Sequence, residues 1–303
     1  MFDFERATDH AAVSEAVQTM RARYPFLRVG TIGRSIMERE LFVLTVGSGR
    51  RQIVYVGAHH GMEWLTSAWL LRFAWELCEA VKSGKTVYGV SLPTFCERFT
   101  LHIIPMLNPD GVDYQLHGIR RDDPLYGRVI GMNGGSTDLS RWQANARGVD
   151  LNHNYDAGFA DYKALETASG ILGGAPTRYA GDAPCSEPET RALCGYLRSL
   201  QSVRLVASFH TQGEVLYYRS GGSCLPGGHE AAMKVARTTG YRLSDAIGMA
   251  AYGGLTDYCL TKCGIPAITL ECGKGTNPLP LSQFFPTYAR LREALFRMCG
   301  FYA

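Results

Sequence analysis

His60 and Glu63 stand three residues apart in VGAHHGMEWL, where the chain leaves the apolar run Ile53, Val54, Tyr55. Residues three apart share one face of a helical turn, so an imidazole and a carboxylate at this spacing can grip a single cation. A helix start at which Glu63 offsets the helix dipole, with solvated histidines, explains the same residues without a metal. A third ligand separates the two readings, because a hydrolytic zinc site characteristically has three protein ligands and one open position. His210, at the end of the apolar segment LVASFH, is the best-placed candidate, although a histidine at a strand end also serves structure. Glu271 ends a second apolar segment, AITLECG. A carboxylate buried there is costly without a partner. As a general base it has one: Glu271 takes a proton from the attacking water and returns it to a leaving amine.

Alternating strands and helices must position these residues. Residues 11–23 carry Ala12, Val13, Ala16, Val17 and Met20 at helical spacing and predict a first helix. LRVGTIGRS and ELFVLTVGS predict a hairpin at a sheet edge. RQIVYVGA, FTLHII, VRLVASFH and PAITLECG are apolar runs of the buried-strand type. LTSAWLLRFAWELCEAVKSG predicts a long helix ending at Gly84, and a closing helix is expected over about 282–299. Asn108 to Gly111 predicts a turn, Ser186 and Glu189 fit a Ser-x-x-Glu capping box, and 117–160 reads as a long functional loop. The whole argues for one α/β domain over residues 1–303, a sheet with helices on both faces. Ligands in such sheets sit beyond the carboxyl ends of strands, where His60, His210 and Glu271 fall.

A composition 46% apolar and 19% charged suits a globular chain of 303 residues with a sizeable core. A net charge of +3 with scattered basic side chains argues against nucleic-acid and membrane-surface partners. No run approaches ~18 apolar residues, so no membrane span is expected. The N-terminal MFDFERATDH lacks the apolar core of a secretory signal. Nine cysteines, an odd number without a Cys-x-x-Cys, read as reduced thiols of a cytoplasmic protein. The close pair Cys259 and Cys263 reads as packing thiols on one helix face.

Taken together, the motifs resemble the zinc carboxypeptidase family, typified by carboxypeptidase A. The resemblance runs over most of the chain through GRSIMERELFVLTVG, HHGMEW, NPDGV at 108–112, RGVDLNHN at 147–154, SEPET at 186–190, SFHTQG and AITLECG, in the family's order and spacing. It implies that family's α/β fold, a mixed sheet of the phosphorylase/hydrolase-like kind, with one zinc ion on His60, Glu63 and His210 and Glu271 as the base. Departures narrow the substrate. Where relatives have an arginine that clamps the terminal carboxylate, Asn152 is followed by His153, a weaker and pH-dependent donor. The arginine of the family's His-x-x-Glu turn is Met62. After Trp142, where many relatives carry the oxyanion-stabilising arginine, stands Gln143, a neutral donor. Arg147 supplies the missing charge in one reading and holds the long loop in another.

WQANARGVDLN and HTQGEVLYY resemble a bacterial branch of the family, the γ-D-glutamyl-diamino acid peptidases. These cut muropeptide stems between the side-chain carboxyl of D-glutamate and meso-diaminopimelate or lysine. The resemblance implies a small peptide substrate carrying extra carboxylates and an amine. Glu214 is the candidate for the amine and Arg219 or His153 for a carboxylate, each equally readable as a solvated loop residue. Thr256 and Asp257 fall where the family lines the pocket for the residue after the cut bond, and Tyr252 is the candidate flexible tyrosine. A general metallocarboxypeptidase or an N-acyl amino acid deacylase would use the same zinc chemistry. A non-catalytic binding homologue is the third reading, and the intact set of His60, Glu63, His210 and Glu271 argues against it. Oligomeric state is not legible.

Overall fold

The computed structural model describes residues 6–299. The reading of MFDFE and the outer limits of the 1–303 domain lie outside the described residues. Eight strands form one sheet: β1 (Arg28–Arg34), β2 (Glu40–Gly47), β3 (Arg51–Gly57), β4 (Phe99–Ile104), β5 (Val203–His210), β6 (Val215–Tyr217), β7 (Arg242–Ser244) and β8 (Ala267–Glu271). Their spatial order is β1-β2-β4-β3-β5-β8-β6-β7. The apolar runs β4, β3, β5 and β8 pair in parallel at the centre. Antiparallel pairs flank them, β1-β2-β4 on one side and β8-β6 on the other, so the sheet is mixed. The expected hairpin, β1-β2, lies at the sheet edge.

Because strand side chains alternate between faces, each buried run feeds two cores. On one face Ile53, Tyr55, Ala207, Phe209, Ile268 and Leu270 pack with α1 (His10–Arg23), α2 (Leu65–Lys82), α5 (Gly228–Thr239) and α6 (Phe284–Met298). On the other, Val54, Val56, Val206 and Ala267 pack with α4 (Pro188–Ser199). Helices therefore cover both faces, as the interleaved pattern predicts. Trp69 of α2 is fully buried and donates its indole N–H to the Phe284 carbonyl at 3.1 Å, so its burial leaves no orphan donor.

Three local readings change. Asn108 to Gly111 is a helix start and not a free turn: Asn108 Oδ1 accepts the Gly111 N–H at 2.9 Å, and Pro109 opens α3 (Pro109–His117). The capping box at Ser186 does not form. Pro188 takes the first helical position, Glu187 becomes the N-cap without a side-chain bond to the helix's own N–H groups, and Glu189 turns into the core. The segment 117–160 is less irregular than its composition suggests, with helices at Tyr126–Met132 and Leu151–His153 over a small core of Tyr114, Val129, Leu139 and Trp142. No helix among the described residues is long and apolar enough to cross a membrane.

Candidate active site

The carboxyl ends of β3, β5 and β8 converge on one place. Past β3, His60 in extended conformation leads into a single 3-10 turn, Gly61–Glu63, and α2 begins only at Leu65. The turn needs glycine: a Cβ on Gly61 would stand 2.3 Å from the Gly111 carbonyl oxygen. His210 ends β5 and Glu271 ends β8, and the two are register partners across the parallel pair. The alternation of β5 and β8 puts Ser208 and His210, and Thr269 and Glu271, on the same face.

His60, Glu63 and His210 present ligand atoms that all lie within 4.8 Å of one another. His60 Nδ1 is 3.0 Å from Glu63 Oε1, His210 Nδ1 is 3.1 Å from Glu63 Oε2, and the two Nδ1 atoms are 3.3 Å apart. The far side of each ring is held. Asp150 Oδ1 lies 3.1 Å from His60 Nε2 and Ser208 Oγ lies 3.0 Å from His210 Nε2, which leaves both Nδ1 atoms facing the centre. Asn277 Nδ2 donates to Glu63 Oε1 at 3.3 Å. Two imidazole nitrogens and a carboxylate, buried and oriented from behind, fit zinc. Asp9, Asp113 and His117 form a second acidic group at the surface, but Asp113 pairs with Arg39 and Asp9 caps α1.

Burial works against charge here, and the neighbours decide which charges survive. Burial raises Glu63, yet His60 and His210 outweigh it and hold its carboxyl at about 2. Asp150 is likewise raised by burial but held well below the carboxylate range by His60 and His153. At Glu271 the pull of His60 is outweighed. Burial and then the nearby Glu63 carboxylate push it up to about 8 in the metal-free protein.

Two cavities meet beside the trio, and His153 and Ala250 line both. The smaller, about 170 Å³, is lined by Asn152, Tyr217, Arg219, Thr256, Asp257 and Glu271 among others. Thr256 Oγ1 and Thr269 Oγ1 are 2.7 Å apart on its wall. The wider, about 700 Å³, holds Met62, Arg141, Gln143, Asp150, Thr177 and Arg178. Asn152 uses its Oδ1 on the Leu255 N–H at 3.1 Å, and Gln143 accepts from Thr177 Oγ1 at 3.0 Å. His153 stacks on Tyr162 with ring centroids 4.1 Å apart. Its Nδ1 lies 2.9 Å from the Tyr252 carbonyl, and burial lowers its pKa.

Three expected site residues lie elsewhere. Arg147 lines neither cavity, because its Nε donates to Glu187 Oε2 at 2.9 Å; the buried Glu187 needs that charge, and Arg147 holds the loop. Glu214 is committed to two cations, Lys274 Nζ at 3.0 Å and Arg290, which leaves no place for a substrate amine. Tyr252 offers His153 its carbonyl, while its ring packs on Gly158, where a Cβ would meet Tyr252 Cδ1 at 2.7 Å. Conversely, Asp150, Ser208, Arg141 and Arg178 escaped the sequence reading. Asp150 had a signal, since it stands inside RGVDLNHN beside residues that were assigned.

A buried two-histidine, one-glutamate trio at parallel strand ends, with a second carboxylate beside it, defines a mononuclear metallohydrolase. The chain belongs to the zinc carboxypeptidase family, whose pattern it matches over residues 13–294. It is a zinc metallopeptidase of a family that uses one zinc ion, and His60, Glu63 and His210 form a site that can hold it. It is 31% identical over 287 residues to γ-D-glutamyl-L-diamino acid endopeptidase 1 of Lysinibacillus sphaericus, covering 95% of this chain and 70% of that protein. It is 28% identical over 212 residues to mast cell carboxypeptidase A of Rattus norvegicus, covering 68% of this chain and 46% of that one. Among solved structures, carboxypeptidase A from Helicoverpa armigera superposes with a TM-score of 0.71 at 18% identity, over 99% of this chain and 75% of the other. Murein-tripeptide amidase MpaA from Escherichia coli O157 superposes at 0.51 and 21% identity, over 87% and 91%.

Proposed function

We propose that this metallopeptidase hydrolyses the γ-D-glutamyl-diamino acid bond of cell-wall muropeptides, with meso-diaminopimelate or lysine on the leaving side. The similarity to the Lysinibacillus sphaericus endopeptidase over 95% of the chain carries the reading. The small cavity supports it, because Arg219 and Asp257 both line it and carry opposite charges, suited to a leaving residue whose side chain carries an amine. His153 supports it as well. The residue standing where relatives clamp a terminal carboxylate is a half-buried histidine whose Nδ1–H is spent on a backbone carbonyl.

Bound zinc supplies a Lewis acid that polarises the scissile carbonyl. Glu271 accepts the proton of the attacking water on its carboxylate and delivers it to the leaving nitrogen. Asp150 and Ser208 keep the two imidazoles turned toward the centre throughout. The same reading places the enzyme in the cytoplasm, acting on fragments returned from the wall.

A screen of purified zinc enzyme decides the substrate. γ-D-glutamyl-meso-diaminopimelate should be cut with kcat/KM at least about a hundredfold above α-linked dipeptides, a difference of only ~2.7 kcal/mol in transition-state binding. Equal or better cleavage of the α-linked compounds would establish a general carboxypeptidase instead.

A further inference from the structure

The wider cavity carries a feature that neither the zinc chemistry nor the leaving-side pocket uses. Arg141 and Arg178 both line it, both are exposed, and neither forms an ion pair among the described residues. Other nearby cations serve elsewhere: Arg219 lines the smaller cavity, and Arg147 is held by Glu187. Arg178 is also held in an unusual way. Its backbone sits at φ +66°, a left-handed conformation that side chains other than glycine and asparagine rarely adopt. Its N–H donates to Asp150 Oδ2 at 3.1 Å, and its carbonyl accepts from Tyr162 Oη at 2.9 Å. Asp150 is the carboxylate behind His60, and Tyr162 is the ring beneath His153. The guanidinium of Arg178 is therefore carried on a peptide unit fixed to the two elements that bound the reacting centre.

The small cavity takes the leaving residue, so the wider one, reached across His153, takes the acyl side. A γ-linked glutamyl residue differs there from every α-linked residue with an uncharged side chain. Its α-carboxylate is free, on a short tether from the scissile carbonyl. We propose that Arg178 and Arg141 form an anion subsite that reads this free α-carboxylate and thereby selects γ-linked glutamyl substrates over α-linked ones with an uncharged acyl-side residue. His153 completes the division of charge. The Tyr252 carbonyl can only accept, so it fixes the proton on Nδ1 and leaves Nε2 as an acceptor at the junction of the cavities, fit for a substrate N–H and not for a carboxylate. The carboxylate is thereby directed to the arginines. The inference rests on the γ-glutamyl reading above and assigns the residues that enforce it.

The test compares γ-D-glutamyl-meso-diaminopimelate with the same compound carrying a carboxamide in place of the α-carboxylate, and with the α-linked isomer. Wild-type enzyme should prefer the free carboxylate by about tenfold to a hundredfold, the scale of one or two charge-assisted hydrogen bonds at a solvent-exposed rim. The preference should shrink as salt is raised. Arg178→Gln and Arg141→Gln should each lose about tenfold on the carboxylate substrate, mainly through KM, and nothing on the carboxamide. Arg178→Gly, whose backbone suits φ +66°, should behave as Arg178→Gln with unchanged thermal unfolding, which separates a lost guanidinium from a damaged loop. Equal cleavage of carboxylate and carboxamide by wild type overturns the subsite while leaving the γ-glutamyl reading intact, as does an equal loss on both substrates in the variants. If neither γ-linked compound is cut better than the α-linked isomer, the functional reading falls and the subsite with it.

Discussion

At the scale of the residue, chemistry was legible where residue type and spacing sufficed. His60 and Glu63 are three apart, and His210 and Glu271 each end an apolar strand, so their convergence follows from strand-end placement alone. For Arg147 and Glu214 the sequence left a substrate role and a structural role open for a physical reason. A charge in sequence shows no partner, and theirs are Glu187, 40 residues on, and Lys274 with Arg290, at least 60 residues on. Glu271 offers the sharpest test at this scale. Its carboxyl is about the size of an amide and makes no bond to the trio's ligand atoms, so Glu271→Gln should retain one zinc per chain while kcat falls ~100-fold or more. His210→Ala, by contrast, should lose stoichiometric zinc. Wild-type turnover in Glu271→Gln, or undiminished zinc affinity in His210→Ala, would refute these roles; metal analysis and steady-state rates read both.

Among the elements, β6, β7 and α5 went unread, whereas the six longer strands and the helices α1, α2, α4 and α6 were foreseen because each carries a sustained apolar pattern. The turn Leu151–His153 was not, since three residues carry no period, yet it delivers Asp150, Asn152 and His153 together. Asp150 caps that turn through the Asn152 N–H at 3.2 Å, accepts from the Arg178 N–H, and still reaches His60 Nε2. One carboxylate thus shapes a loop and orients a ligand. Asp150→Asn keeps the volume but replaces an anion by a carboxamide, and one of its two oxygen positions becomes a donor. Zinc affinity should fall about 10- to 100-fold, the usual cost of losing a partner behind a metal-bound histidine. Competition with a chelator measures it, and an unchanged dissociation constant would show that the Asp150–His60 bond is idle.

For the whole molecule, the least expected feature is Glu189, which the sequence offered as a capping residue and the fold buries beside Asp110 and Glu187. Burial first, and then the Asp110 charge, raises its carboxyl from 4.5 to about 8. Folded chains therefore keep Glu189 protonated at neutral pH, whereas unfolded chains ionise it. Its contribution to stability is present below pH 4.5 and is lost as pH rises through about 8. Glu189→Gln holds the neutral form at every pH. Its melting temperature relative to wild type should climb between pH 4.5 and 8 and then level off; an offset that does not vary with pH would show that Glu189 is ionised in the native state.

The in-register pairing of His210 with Glu271 also makes strand alignment a catalytic variable. Inserting or deleting a single residue within Ala267–Glu271 would present Leu270 or Cys272 to the metal in place of the glutamate, while most of the ladder could re-form around it. The enzyme is thus one peptide unit of slippage away from a well-folded but inert homologue, and the pairing register of these strands guards the reaction as much as the fold.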